Sequence, residues 1–317
     1  MKKVGLFIVA VAFAAFANAA EIVVKPQGWK AGDVRKYDCV TVDKDGEILN
    51  HAMYVAVNSV EKDKYLMDYQ LAITDTASLS YQTVKIMLGD SVAAAMNDFV
   101  YKFSLNKNGE FGHFENYQDL NALFGKGLIG ALMESMVGSS QKDAEDKYLS
   151  EMQNVYWYMN KKFDDKKENV IKRDFTVTIT AFDDVETKVR VGSLEGKQTF
   201  VLTANISAEK VFASSEKTLR EAMNNMAKSM GVQPSMFEDK IKEKLDELKK
   251  VESTMAIKET VVFDEKTGWF ISFDRVVEDK HEVPFRVKRV YPRDDLHKEG
   301  QVAERVQAQC STLRPSI

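Results

Sequence analysis

Residues 99–137 read FVYKFSLNKNGEFGHFENYQDLNALFGKGLIGALMESMV, a pattern of strand, tight turn, strand and helix. Asn108-Gly109 lies between two runs of mixed aromatic and polar residues, the strongest short-range hairpin signal a sequence carries. With those two residues as the loop, Lys107 faces Glu110, Leu105 faces Gly112, Phe103 faces Phe114 and Lys102 faces Glu115. One face then holds Tyr101, Phe103, Leu105 and Phe114, while Lys102 and Glu115 pair on the other. Asn116 is placed to cap the following helix by accepting from the Asp119 amide. Gly125, Gly127 and Gly130 predict a kink or a split in that helix.

Upstream, Glu21–Val24 reads as a short strand. Val34–Val42, Ile48–Val60 and Tyr65–Ile73 form an antiparallel meander. Strict alternation puts Tyr65, Met67, Tyr69, Leu71 and Ile73 on one face. Leu79–Asp98 switches to a helical period, weakened at Gly89. Downstream, Ala144, Tyr148, Met152, Val155 and Met159 recur at helical spacing and predict one helix over Gln141–Phe163. Lys161–Lys172 is a solvated charge run and a boundary.

Strands resume at Asp174–Phe182, Val185–Val191 and Gln198–Val211. Ser215–Met230 reads as a helix ending at Gly231. Ser235 and Glu238 have capping-box spacing for another, with Phe237, Ile241, Leu245 and Leu248 as its stripe. Thr254–Phe263 and Trp269–Val277 form a hairpin about Lys266-Thr267-Gly268, and Glu282–Tyr291 closes the sheet. The expected fold is α+β: a large, mostly antiparallel, curved sheet or half-open barrel of about eleven strands. Helical inserts at 79–98, 117–163 and 215–250 cover one face of a single domain spanning 21–292, and 293–317 is a charged tail.

Residues 1–20 have the pattern of an export signal. Lys2 and Lys3 precede an apolar run from Val4 to Phe16, and Ala17-Asn18-Ala19 supplies the small-residue site, with cleavage after Ala19 or Ala20. The expected location is periplasmic or secreted, in a bacterial envelope, with no membrane-spanning segment in the mature chain. Without Lys2 and Lys3 the 44 basic residues become 42 against 48 acidic ones, a net charge of −6. That mild acidity argues against a nucleic-acid partner. Cys39 and Cys310 are the two cysteines. In an oxidising compartment they are a candidate disulfide, the alternative being a buried Cys39 and a free thiol on the tail.

Motifs for chemistry are sparse. Asp43-Lys44-Asp45-Gly46 shares its opening residues with a calcium loop but lacks the later ligands, and it reads as a hairpin turn. His51, His113, His281 and His297 lack metal-ligand spacing, so neither metal nor cofactor is expected. There is no nucleophile elbow and no glycine-rich phosphate loop. Asp164-Asp165 and Asp183-Asp184 are adjacent in sequence and point apart. The chain therefore reads as non-catalytic.

Methionines gather on the helical segments, where they make adaptable apolar surfaces or simply pack the core. The export signal, the order of elements and the hairpins over Val34–Tyr291 resemble the periplasmic lipoprotein-carrier class, in which helices close a half-open barrel over an apolar cavity. This chain is longer and adds the helix at Gln141–Phe163, and no functional residue carries over. The resemblance implies a non-catalytic exported protein binding an apolar or amphipathic ligand, such as a lipid, between sheet and helices. The residues best placed for that are Phe124, Leu128, Leu132, Met136, Met223, Met226 and Met230. A structural or protein-interaction module of the envelope is the alternative, and a hydrolase ranks third.

Overall fold

The computed structural model describes residues 21–43, 46–124, 140–177, 180–251, 254–279 and 284–293. Eleven strands form one antiparallel sheet that does not close into a barrel. Its first arm is a meander of β2 (Val34–Asp43), β3 (Ile48–Val60), β4 (Lys64–Ile73), β5 (Tyr101–Asn106) and β6 (Phe111–Phe114). Its second is a meander of β8 (Asn169–Val177), β9 (Thr180–Leu194), β10 (Lys197–Ile206), β11 (Met255–Asp264), β12 (Phe270–Asp279) and β13 (Pro284–Pro292). The arms join where β13 pairs with β2, Val290 opposite Cys39. The edges are β6 and β8. A separate two-stranded sheet pairs β1 (Glu21–Ile22) with β7 (Phe163–Asp164).

Seven α-helices are described: α1 (Leu79–Leu88), α2 (Asp90–Asn97), α3 (Tyr117–Phe124), α4 (Gln141–Tyr148), α5 (Ser150–Tyr156), α6 (Ala208–Met230) and α7 (Glu238–Val251). The helical run after Leu79 divides at Gly89, which adopts φ +84°. The single helix expected over Gln141–Phe163 is instead α4, α5, a turn and β7. A capping box between Ser140 and Asp143 starts α4. The charge run 161–172 likewise holds β7 and the start of β8.

Other expectations are corrected. The alternation from Asp174 to Phe182 spans a hairpin, with Phe175 paired to Phe182 across it. The strand thought to reach Val211 stops at Ile206, and α6 begins at Ala208, seven residues before Ser215. Pro234–Phe237 is a 3-10 turn, so α7 starts at Glu238 without the expected cap. In the central hairpin Phe103 does face Phe114, but Leu105 faces Phe111, because a register shift absorbs Gly112. Glu115 pairs with Lys64 at 3.3 Å, in place of Lys102. The Asn116 side chain accepts from the Lys102 amide and donates to the Val100 carbonyl, tying the helix start to β5; the Asp119 amide meets the Asn116 carbonyl.

The sheet is tightly curled, and one insert shows how far. Tyr156 lies against Phe103 of β5, ring centroids 5.9 Å apart, while its neighbour Trp157 sits 4.4 Å from the guanidinium of Arg173 on β8. Those strands are second and eleventh in the order. A flat sheet would separate them by about 43 Å at the usual strand spacing. The wall wraps around α5, and Tyr37, Tyr69, Phe103, Phe175, Phe200, Phe263 and Phe270 fill the interior as one aromatic core with Tyr156 and Tyr158.

One end of this wrap is stoppered by the segment before β2. Trp29 stacks on Trp269 at 4.2 Å and donates to the Thr267 carbonyl at 2.7 Å. Lys25 and Pro26 press on the turn glycines Gly268 and Gly109 so closely that neither position has room for a Cβ.

Candidate functional site: a charged layer and cleft under α4 and α5

Toward the other end, the inward faces of four strands each carry charge among apolar neighbours. On β11 the inward run is Ile257, Glu259, Val261 and Phe263, all essentially inaccessible. Glu259 accepts from Arg173 Nη1 at 2.7 Å and from the Tyr158 hydroxyl at 3.0 Å. Arg275 Nε lies 3.3 Å from its other oxygen. Arg173 also donates to Asn154 Oδ1 of α5 at 2.7 Å, and Arg275 donates to the Thr176 carbonyl at 3.3 Å. Taking such charges out of water costs several kcal/mol each unless they are paired and hydrogen-bonded; Arg173 meets Glu259 in both ways, whereas the contact of Arg275 Nε with Glu259 is an ion pair without a hydrogen bond.

On β13, Lys288 is in the same inward register as Val290. Its side chain is 9 % exposed and pairs with Glu151 of α5, whose other oxygen accepts from the Tyr69 hydroxyl at 3.2 Å. Burial, together with these carboxylates, pushes the Tyr69 and Tyr158 hydroxyls well above the ordinary phenol range, so both remain donors. Lys147 on α4 is half-buried. Desolvation holds its ammonium below the usual lysine range, opposed by Asp143, Asp146 and Glu221.

Between these groups lies a cavity of about 110 Å³. Lys147, Glu151 and Asn154 form its helical side, and Arg275, Lys288 and the apolar side chains of Val177, Phe273 and Val277 form its sheet side. A second cleft, about 280 Å³, shares Ser150, Asn154 and Thr176 with it and runs outward past Arg173, Asp146 and Asp183. A third hollow, about 480 Å³, lies where β2 and β12 outrun the end of β13, lined by Arg35, Tyr37, Trp269 and Phe270.

The sequence-expected residues sit elsewhere or lie outside the described residues. Phe124 is buried in the main core at the end of α3. Met223 is half-buried on α6 and Met226 is 37 % exposed there. Neither methionine is among the described residues packed on that core. Met230 ends α6. Leu128, Leu132 and Met136 fall outside the described residues, as does Cys310. Cys39 is buried on β2. Residues 1–20, Lys44 and Asp45 also fall outside them. His113 is exposed on β6. Among the described residues no cluster of His, Cys, Asp or Glu could hold a metal ion. No described helix is long and apolar enough to cross a membrane.

The buried charges were missed, although a signal existed. Glu259, Arg275 and Arg173 each stand at an inward position of a strand whose flanking inward residues are apolar, and Lys288 shares its inward register with Val290 on β13. A charge on the apolar face of one strand is an oddity; on four neighbouring elements it marks a site.

No family model matches this chain, and no curated protein matches it in sequence. Among solved structures, a chain studied for lipid–protein interactions in lipovitellin is similar over 83% of this chain, with 10% identity and a TM-score of 0.32. This chain spans 25% of the length of that one. A protein described as a candidate lipoprotein of Parabacteroides distasonis ATCC 8503 is similar over 86% of this chain and 99% of its own, with 9% identity and a TM-score of 0.32. Both likenesses are at the level of broad fold.

Proposed function

We propose that this is a non-catalytic, exported binding protein that holds an amphipathic ligand toward the end of the curled sheet away from Trp29. The supporting observation is the composition of the cavity wall: Val177, Phe273 and Val277 beside Arg275, Lys288 and Lys147. The interior beneath α5 is packed with aromatic rings, so the ligand does not occupy a void under that helix. Its place is the cleft where the charged layer meets apolar strand ends. Each methylene buried there contributes about 0.8 kcal/mol. Native mass spectrometry of protein purified from its own host tests this. An adduct of lipid-like mass is the expected result, and repeated preparations at the bare chain mass overturn it. N-terminal sequencing of the same material checks export, with the mature chain beginning after Ala19 or Ala20.

The packed interior favours a second reading, an envelope interaction module without a small ligand. Bare chain mass together with a protein partner that survives lipid removal is the outcome that selects it.

A further inference from the structure

We propose that the cavity between α5 and strands β12 and β13 is an oxyanion site, holding the carboxylate or phosphate end of an amphipathic ligand on Lys288 and Arg275. The inference rests on the binding-protein reading and adds the chemistry of the ligand's head.

Three observations carry it. First, the cavity lining is mostly basic. Lys147, Arg275 and Lys288 line it with one carboxylate, Glu151, among the described residues, and Val177, Phe273 and Val277 lie beside them. An oxyanion placed among these cations gains more there than at an exposed surface, because the apolar neighbours keep the local dielectric low.

Second, the size is right for a head and wrong for a whole ligand. A cavity of about 110 Å³ accommodates a few waters or the oxygens of one acid group. It is well short of the several hundred Å³ that enclose a complete small molecule. Val177, Phe273 and Val277 line the same cavity, so an acyl chain continues from the head against apolar surface.

Third, the acidic side chains are segregated. Asp146, Asp174 and Asp183 belong to the outer cleft beside Arg173, whereas Glu151 is the one carboxylate lining the inner cavity among its described residues. Glu151 occupies Lys288 in this structure, and it is the group with which an incoming oxyanion competes.

The test is calorimetric titration of the full chain with dodecanoate, dodecyl phosphate, the neutral analogue dodecanol, and inorganic phosphate alone. Either acidic amphiphile should bind about tenfold tighter than dodecanol or more, the worth of one charge-assisted hydrogen bond. Whichever acid binds tighter identifies the head. Lys288→Gln should remove that advantage and leave dodecanol unaffected, with Lys288→Arg retaining most of it. Glu151→Gln should tighten the acids by removing the competing carboxylate, an effect that a merely structural ion pair would not produce. Circular dichroism checks that each variant is folded. If all three amphiphiles bind alike and Glu151→Gln changes nothing, the oxyanion site falls while the binding-protein reading stands. If no amphiphile binds, both fall. If inorganic phosphate binds as tightly as dodecyl phosphate, the site takes a free anion and the amphiphile is overturned.

Discussion

The carboxylate of Glu145 on α4 accepts the Phe114 amide of edge strand β6 at 2.9 Å, and Gln141 donates to the Phe114 carbonyl at 3.0 Å. Two side chains on consecutive helical turns thus replace the missing twelfth strand at that edge. An open edge is a template for pairing with other chains, and covering it with a helix is one way to prevent this. Closure of the barrel is unnecessary because α4 and α5 fill the gap between β6 and β8.

Glu145→Ala should therefore leave a buried amide without its acceptor, at a cost of about 1–3 kcal/mol. Glu145→Gln keeps an acceptor oxygen and should lose less. Urea unfolding measures both. Size-exclusion chromatography should show self-association in the alanine variant first, because it uncovers the edge.

The Glu259 carboxylate holds two arginines, so its removal should be worse than removal of either one. Glu259→Gln leaves the guanidinium groups of Arg173 and Arg275 buried together, with an expected loss of about 3–5 kcal/mol. Arg173→Met leaves Glu259 paired with Arg275 and fills the space beside Trp157, so its loss should be clearly smaller. Equal losses in denaturant unfolding would mean that Arg275 does not share the carboxylate.

Gly196 and Gly268 separate two reasons for glycine at a turn. Both have positive φ, +74° and +72°, but a Cβ at Gly196 meets open space, whereas one at Gly268 would lie 2.1 Å from the Lys25 carbonyl oxygen. Gly196→Ala should cost about 1–2 kcal/mol, the strain of a left-handed alanine. Gly268→Ala should cost more and push the Lys25–Trp29 segment off the sheet. Near-ultraviolet circular dichroism reads this directly, since Trp29 stacks on Trp269.

The architecture was legible because strand alternation and turn chemistry act locally. Asn108-Gly109 and Thr267-Gly268 marked their hairpins, and Tyr65, Met67 and Tyr69 faced inward as the period of two requires. What failed depended on distant partners. Asn116 has a free choice between capping its own helix and bridging to β5, and only the presence of β5 decides it. The run from Ala144 to Met159 is helical in period throughout, yet Asn160 turns the chain with φ +56° and β7 pairs with β1. The functional reading went to methionine-bearing helices because adaptable apolar surface is visible in composition. The charged layer is visible only when Arg173, Glu259, Arg275 and Lys288 are set side by side by strand register, and no window of contiguous sequence contains them together.

Glu110 gives a pH prediction at the central hairpin. Its carboxylate accepts from Asn106 Nδ2 at 2.6 Å and from Asn160 Nδ2 at 3.1 Å, linking the hairpin tip to the turn after α5. Those hydrogen bonds hold its carboxyl below the ordinary glutamate range, outweighing partial burial. The folded state therefore releases this proton more readily than the unfolded chain, whose glutamates titrate near about 4.3. The stabilisation is fully present above that value and is lost as pH falls through the lower, folded pKa. Glu110→Gln removes the titration, so the stability gap between wild type and variant should be widest near neutrality and should narrow on acidification below about pH 4.3. Urea midpoints measured in steps from pH 7 to pH 3 check this. A gap that stays constant across that range would mean that the asparagines hold the neutral side chain as well as they hold the carboxylate.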